Sequence, residues 1–299
     1  MRAVFAFLVF GILLTGCASA QPASLQTERF EALDEVLDEA VSSGVIPGAV
    51  ALVTTRDSVM YHRAFGILDP AANLAMRPDA IFNIASMTKP ITSLGVMMLV
   101  EEGLIGLDDP ASGYLPELAG REVLVSVDTL NGTVATRPAG REVTIRDLLR
   151  HTSGIGYAFS NHELLEVATH TEIPGRMRPL VHDPGARWTY GMGTAQLGWI
   201  IESVSGLPLE EFLQQRILRP LGMDDTSFSL PREKAARLTA AFDRVDGALV
   251  PSPRPEFYES PGPRRRRSLF DSDGLRALPT THTGPWRTGG YPAHQRGHL

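Results

Sequence analysis

The run from Ile91 to Val100 is apolar nearly all round a helical circumference before Glu101-Glu102-Gly103 closes it. A helix of that kind has to be covered on several sides at once, so the chain must build a core around it. Pro90 is tolerated only near the start of a helix, which places the first turn at about Ser86. Material for such a core is present: 299 residues with 43% hydrophobic and 21% charged content exceed what one small domain needs and lie outside the composition of disordered chains. A single cysteine rules out a disulfide scaffold.

The start of this helix carries the chemistry. Lysine occurs only at Lys89 and Lys234, all other basic side chains except histidine being Arg. Residues three apart lie on one helix face, so the Lys89 amine reaches the Ser86 hydroxyl. Apolar surroundings and the positive end of the helix both lower the pKa of an amine, turning it toward a usable base. The pair therefore reads as a serine nucleophile with its own local base.

Around it, Glu28 to Ser42 places Phe30, Leu33, Leu37 and Ala40 or Val41 at helical spacing and ends at Gly44, predicting an amphipathic helix that needs a sheet to cover. Gly48 to Thr54 and Val59 to Phe65, separated by Thr55-Arg56-Asp57-Ser58, predict an antiparallel hairpin. Thr144 to Leu149 reads as a short helix ending in the turn His151-Thr152-Ser153-Gly154, with His151 as a structural hydrogen-bonder. Pro184-Gly185 marks a turn before Trp188-Thr189-Tyr190, and on the residues alone Tyr190 is a packing residue. His162-Glu163-Leu164-Leu165-Glu166 lacks the second His of a zinc helix, and no P-loop, G-x-S-x-G elbow or dinucleotide fingerprint occurs. No metal and no organic cofactor is expected.

The two ends differ from the middle. Arg2 followed by the apolar run Ala3 to Leu14 reads as a secretion signal, residues 1–20, too short to span a bilayer. Leu14-Thr15-Gly16-Cys17 resembles a lipobox, which would lipidate Cys17; cleavage after Ala18-Ser19-Ala20 would instead leave a soluble product. The expected location is exported, either periplasmic or anchored to the outer membrane, with a lipid on Cys17 as the sole membrane link. Residues 262–299 hold seven Arg against two Asp and lack Val, Ile and Met, so they contribute little core and are expected to be disordered. Arg264-Arg265-Arg266-Arg267 reads as solvated charge, and the overall net charge of −6 gives no pull toward nucleic acid.

Five segments carry more than local physics. Ile46-Pro47-Gly48-Ala49-Val50, Phe82 to Pro90, Leu107-Asp108-Asp109-Pro110, Thr144 to Gly154, and Pro184 to Tyr190 together resemble the serine β-lactamase and penicillin-binding-protein-like superfamily. Within it they are most similar to class C β-lactamases and their esterase relatives, from about Glu28 to Phe228. The resemblance implies Ser86 as the acylated nucleophile, Lys89 as its proton acceptor, Tyr190 as the second member of the base pair, and the Ser86 N–H as one oxyanion donor. It also implies a β-lactamase/transpeptidase-like α/β fold: an antiparallel sheet flanked by helices, with a mostly helical subdomain between about Leu104 and Pro184. Where the family's tyrosine motif continues to an Asn two residues on, this chain has Gly191-Met192, a form associated with the esterase branch.

The resemblance also implies a late edge strand bearing Lys-Thr-Gly or a His/Trp-x-Gly variant, and residues 262–299 supply no convincing match. His282-Thr283-Gly284 has the letters without strand periodicity. If Arg264 to Arg267 are CGG codons and the next residues use TCT CTT TTC GAC AGC, reading one base later yields a Gly-Gly-Gly-Gly-Leu-Phe-Ser-Thr stretch like the family's own, so the tail is expected to be a frameshift product. The hydrolase domain, residues 21–261, would then lack its late strands and turn over weakly. The expected activity is that of an exported serine hydrolase, carboxylesterase or β-lactamase-like, on a small-molecule ester or amide such as a β-lactam or a peptidoglycan peptide. A D-alanyl-D-alanine peptidase and a non-catalytic envelope binding protein share the motifs and the fold.

Overall fold

The computed structural model describes residues 30–252 and 276–277. The signal region with Cys17, the Arg264–Arg267 run, His282-Thr283-Gly284 and the frameshift boundary lie outside the described residues.

Helix α1 (Glu31–Ser42) ends where Gly44 takes φ +72°, a conformation in which a side chain would be strained. It lies on strand β2 (Val59–Asp69), with Phe30 and Tyr61 rings 4.9 Å apart and the Tyr61 hydroxyl donating to Asp34. Burial, reinforced by that carboxylate, pushes the Tyr61 phenol up to about 12. Strand β1 (Gly48–Thr54) pairs antiparallel with β2 from Gly48 opposite Gly66 to Thr54 opposite Val59, and the short β3 (Leu74–Ala75) adds to the far side of β2. The hairpin follows from β-branched and apolar runs meeting at a four-residue turn, in which the Thr55 hydroxyl accepts the Ser58 N–H.

Strand β4 (Phe82–Asn83) leads through a 3₁₀ turn (Ala85–Met87) into α2 (Thr88–Glu101), and pairs with β9 (Arg276–Ala277). One face of α2, carrying Thr88, Thr92, Gly95, Val96 and Leu99, is buried. The expectation of an all-round buried helix holds only in part, because Leu94 and Met97 are exposed.

Between Leu104 and Pro184 the expected helical segments are present as α3 (Ile145–Arg150), α4 (His162–His170) and four 3₁₀ turns. The segment also contains an antiparallel hairpin, β5 (Glu122–Asp128) with β6 (Thr133–Pro138), which the sequence reading did not include. Its turn is set by Asp128, whose carboxylate accepts the N–H groups of Leu130 and Asn131. Helices α5 (Gly193–Ser205) and α6 (Leu209–Leu213) follow, then the hairpin of β7 (Phe242–Val245) and β8 (Ala248–Pro251). The main core lies where α2, α3, α5 and α6 meet, through Val96, Leu99, Leu148, Leu197, Ile200, Ile201, Phe212 and Leu213. Each such side chain removed from water contributes roughly 1.5–3 kcal/mol, which anchors the buried face of α2 and hence the Ser86 turn.

Candidate active site

Ser86 stands exposed in the 3₁₀ turn that opens α2, and the Lys89 Nζ donates to its Oγ at 3.1 Å. Local helical spacing alone produces this pair. Tyr190 arrives from a distant segment. The Thr189 N–H donates to the His151 carbonyl at 2.7 Å and the Gly185 N–H to that of Thr152 at 2.7 Å, laying the Pro184–Tyr190 strap along the His151–Gly154 turn. The strap then brings the Tyr190 ring to 4.8 Å from Lys89 Nζ. Burial raises the Tyr190 phenol's pKa, but hydrogen bonds with Lys89 and Ser86 and the lysine's charge outweigh it, leaving the group below its ordinary value of 10.0. Ser86, Lys89 and Tyr190, the three residues singled out in the sequence, are therefore brought together.

The turn that receives the strap is itself tightly fixed. Thr144 and Asp147 form a reciprocal capping box at the start of α3. The buried Asp147 carboxylate also accepts two hydrogen bonds from Arg141, at 2.5 and 2.9 Å, and one from Thr152 at 3.0 Å. Burial works against this charge, yet the donors around it hold the Asp147 carboxyl at about 2. Next to Tyr190, Gly191 packs against the Ile155–Gly156 backbone so closely that a Cβ there would sit 2.0 Å from the Ile155 carbonyl oxygen.

His151 has a different place from the one its sequence suggested. Its ring centroid is 4.9 Å from that of Tyr190, its backbone is left-handed at φ +56°, and its Nδ1 is buried with no hydrogen-bond partner among the described residues. Burial, then the charge of Lys89, holds its imidazole below the ordinary 6.5. The chain turns the His151 ring onto Trp188 and Tyr190 of the strap, and it is the His151 backbone carbonyl that accepts the strap's hydrogen bond.

An aromatic wall completes the site and was not read from the sequence. The Tyr157 and Phe159 rings stack at 4.8 Å, Tyr157 lies 5.7 Å from Tyr190, and Trp188 stacks on Tyr190 at 6.1 Å. Phe159, Trp188 and Met87 are 79%, 65% and 69% exposed, so apolar surface opens toward solvent close to the serine. The signal available was the pair of aromatics Tyr157 and Phe159 just beyond Gly154, on the turn that meets the Tyr190 strap. Among the described residues, no group of His, Cys, Asp and Glu is arranged to hold a metal ion.

Comparison with known proteins gives concordant results. The family model described as Beta-lactamase matches residues 33–281. Protein Rv1367c of Mycobacterium tuberculosis is 36% identical over 218 residues, 70% of this chain and 54% of that protein. Esterase EstB of Burkholderia gladioli is 34% identical over 211 residues, 66% of this chain and 50% of EstB. The chain thus spans about half the length of these relatives. Among solved structures, the LovD6 mutant of simvastatin synthase from Aspergillus terreus superposes with a TM-score of 0.71 at 29% identity, covering 87% of this chain and 66% of that one.

Proposed function

The chain belongs to the Beta-lactamase family, and on that premise we propose that it is a serine hydrolase of the esterase type that forms an acyl-enzyme on Ser86. The observation that carries this reading is the hydrogen bond from Lys89 Nζ to Ser86 Oγ, with the Tyr190 ring 4.8 Å from that Nζ. Ser86 Oγ attacks an ester carbonyl carbon, forming a C–O bond while its proton passes to the Lys89–Tyr190 pair. Collapse of the tetrahedral intermediate breaks the bond to the alcohol, which leaves with that proton. Water then attacks the acyl carbonyl, giving one proton to the pair. The carboxylic acid departs as Ser86 Oγ takes the proton back. The Ser86 N–H, at the positive start of a helix, is suited to stabilise the oxyanion.

The wall of Met87, Tyr157, Phe159 and Trp188 favours an ester with an apolar acyl or alcohol group, since such a group would remove exposed apolar surface from water. Gly191-Met192 in place of an asparagine motif favours esters over β-lactams and peptides. A panel of p-nitrophenyl acetate, butyrate and octanoate with nitrocefin tests this. Turnover of the longer esters that vanishes in Ser86→Ala, with nitrocefin untouched, is expected. Nitrocefin hydrolysis without ester turnover would overturn the esterase reading in favour of a β-lactamase.

Export belongs to the same proposal, with processing at Cys17 or after Ala20. If Cys17 carries the lipid, Cys17→Ala releases the protein from the membrane fraction. Persistence there would remove the lipid anchor.

A further inference from the structure

Four non-glycine residues among those described have a positive φ: Asn73, Ala85, His151 and Asp246. Asn, His and Asp are the side chains that tolerate this region, helped by local hydrogen bonds. Ala85 has no such help, yet it holds φ +42° immediately before Ser86. Its conformation is therefore imposed by its neighbours, and both of its peptide groups are tied. The Asn83 Oδ1 accepts the Ala85 N–H at 2.9 Å, and the Thr88 Oγ1 donates to the Ala85 carbonyl at 2.7 Å. Thr88 is buried at the start of α2, so its tie is fixed by the core. Asn83 is exposed and lies outside the core clusters of the described residues.

We propose that Asn83 is a positioning residue for the nucleophile: its side chain locks Ala85 in the left-handed conformation that aims the Ser86 hydroxyl at Lys89. The inference rests on the reading of Ser86 as nucleophile. Without the Asn83 acceptor, Ala85 relaxes toward the right-handed region favoured by every L residue other than glycine. The peptide between Ala85 and Ser86 turns with it, which moves both the Ser86 Oγ, now 3.1 Å from Lys89 Nζ, and the Ser86 N–H. A small misplacement of a reacting group is costly in rate while leaving substrate binding intact.

The test measures labelling of Ser86 by a fluorophosphonate probe in the full chain, resolved into the limiting rate of labelling and the half-saturating probe concentration. Asn83→Ala lowers the limiting rate about tenfold with the half-saturating concentration and the thermal midpoint unchanged. Asn83→Asp, which keeps an acceptor oxygen, stays near wild type. Adding Ala85→Gly to Asn83→Ala restores most of the lost rate, because glycine takes a positive φ unaided. A merely structural role would not produce that rescue. Unchanged labelling in Asn83→Ala, a loss that Ala85→Gly does not recover, or a loss that follows the thermal midpoint would each overturn the inference. Absence of labelling in the wild-type chain would overturn the nucleophile reading, and this inference with it.

Discussion

The Nζ of Lys89 donates to the Oγ of Ser86 across 3.1 Å, from one turn further along the same helix start. If that bond marks proton transfer, Lys89→Met, which keeps an unbranched apolar stem, slows formation of the acyl-enzyme by about 10²–10⁴-fold. The burst of p-nitrophenol in stopped flow reads the step directly. A burst rate equal to wild type would remove Lys89 from the proton path.

Tyr190→Phe keeps the ring beside His151 and Trp188 but removes the hydroxyl whose pKa Lys89 and Ser86 lower. Activity falls about 10²-fold. The pH profile carries a sharper expectation. Because the phenol of Tyr190 lies below its ordinary 10.0, its base form is gained as pH rises through that lowered value, and kcat/KM rises with it. The Phe variant lacks this alkaline rise; a profile of unchanged shape would show that another group titrates.

Asp147 links folding to acidity. Its folded value of about 2 is depressed from the ordinary 3.8, so its ionised form stabilises the fold fully above 3.8, and that contribution is lost as pH falls toward 2. Asp147→Asn is expected to cost about 2 kcal/mol at pH 7, measured by urea denaturation, with the gap to wild type narrowing below pH 3.8. A gap independent of pH would mean that packing, and not charge, is what the variant loses.

Gly191→Ala forces a methyl against the Ile155 carbonyl oxygen, backbone that cannot swing aside as a side chain would. The strap must shift, carrying Tyr190 with it. Ester turnover falls at least tenfold while Ser86 and Lys89 remain in register. Full activity in this variant would show that the strap moves without displacing the phenol.

The β5–β6 hairpin has a local trace in the sequence. Val123, Val125 and Val127 alternate with other residues before Asn131-Gly132, a pattern typical of a hairpin, although the surrounding segment reads as helical. The hairpin at β1 and β2 was legible because nothing nearby competed with its period of two. The position of α1 was equally plain from its apolar spacing and the glycine that ends it.

By itself the sequence determined whatever depends on spacing within one element: Ser86 and Lys89 on one face of a helix start, and the short helix α3 that ends in the turn at His151. Tyr190 could be joined to them beforehand only through resemblance, since no local period links a strap residue to a helix start. His151, the aromatic wall of Tyr157 and Phe159, and the strained Ala85 tied by Asn83 were decided by the tertiary structure. They depend on how backbone hydrogen bonds lay one loop along another and on how neighbours impose a costly φ, and neither has a periodic trace along the chain.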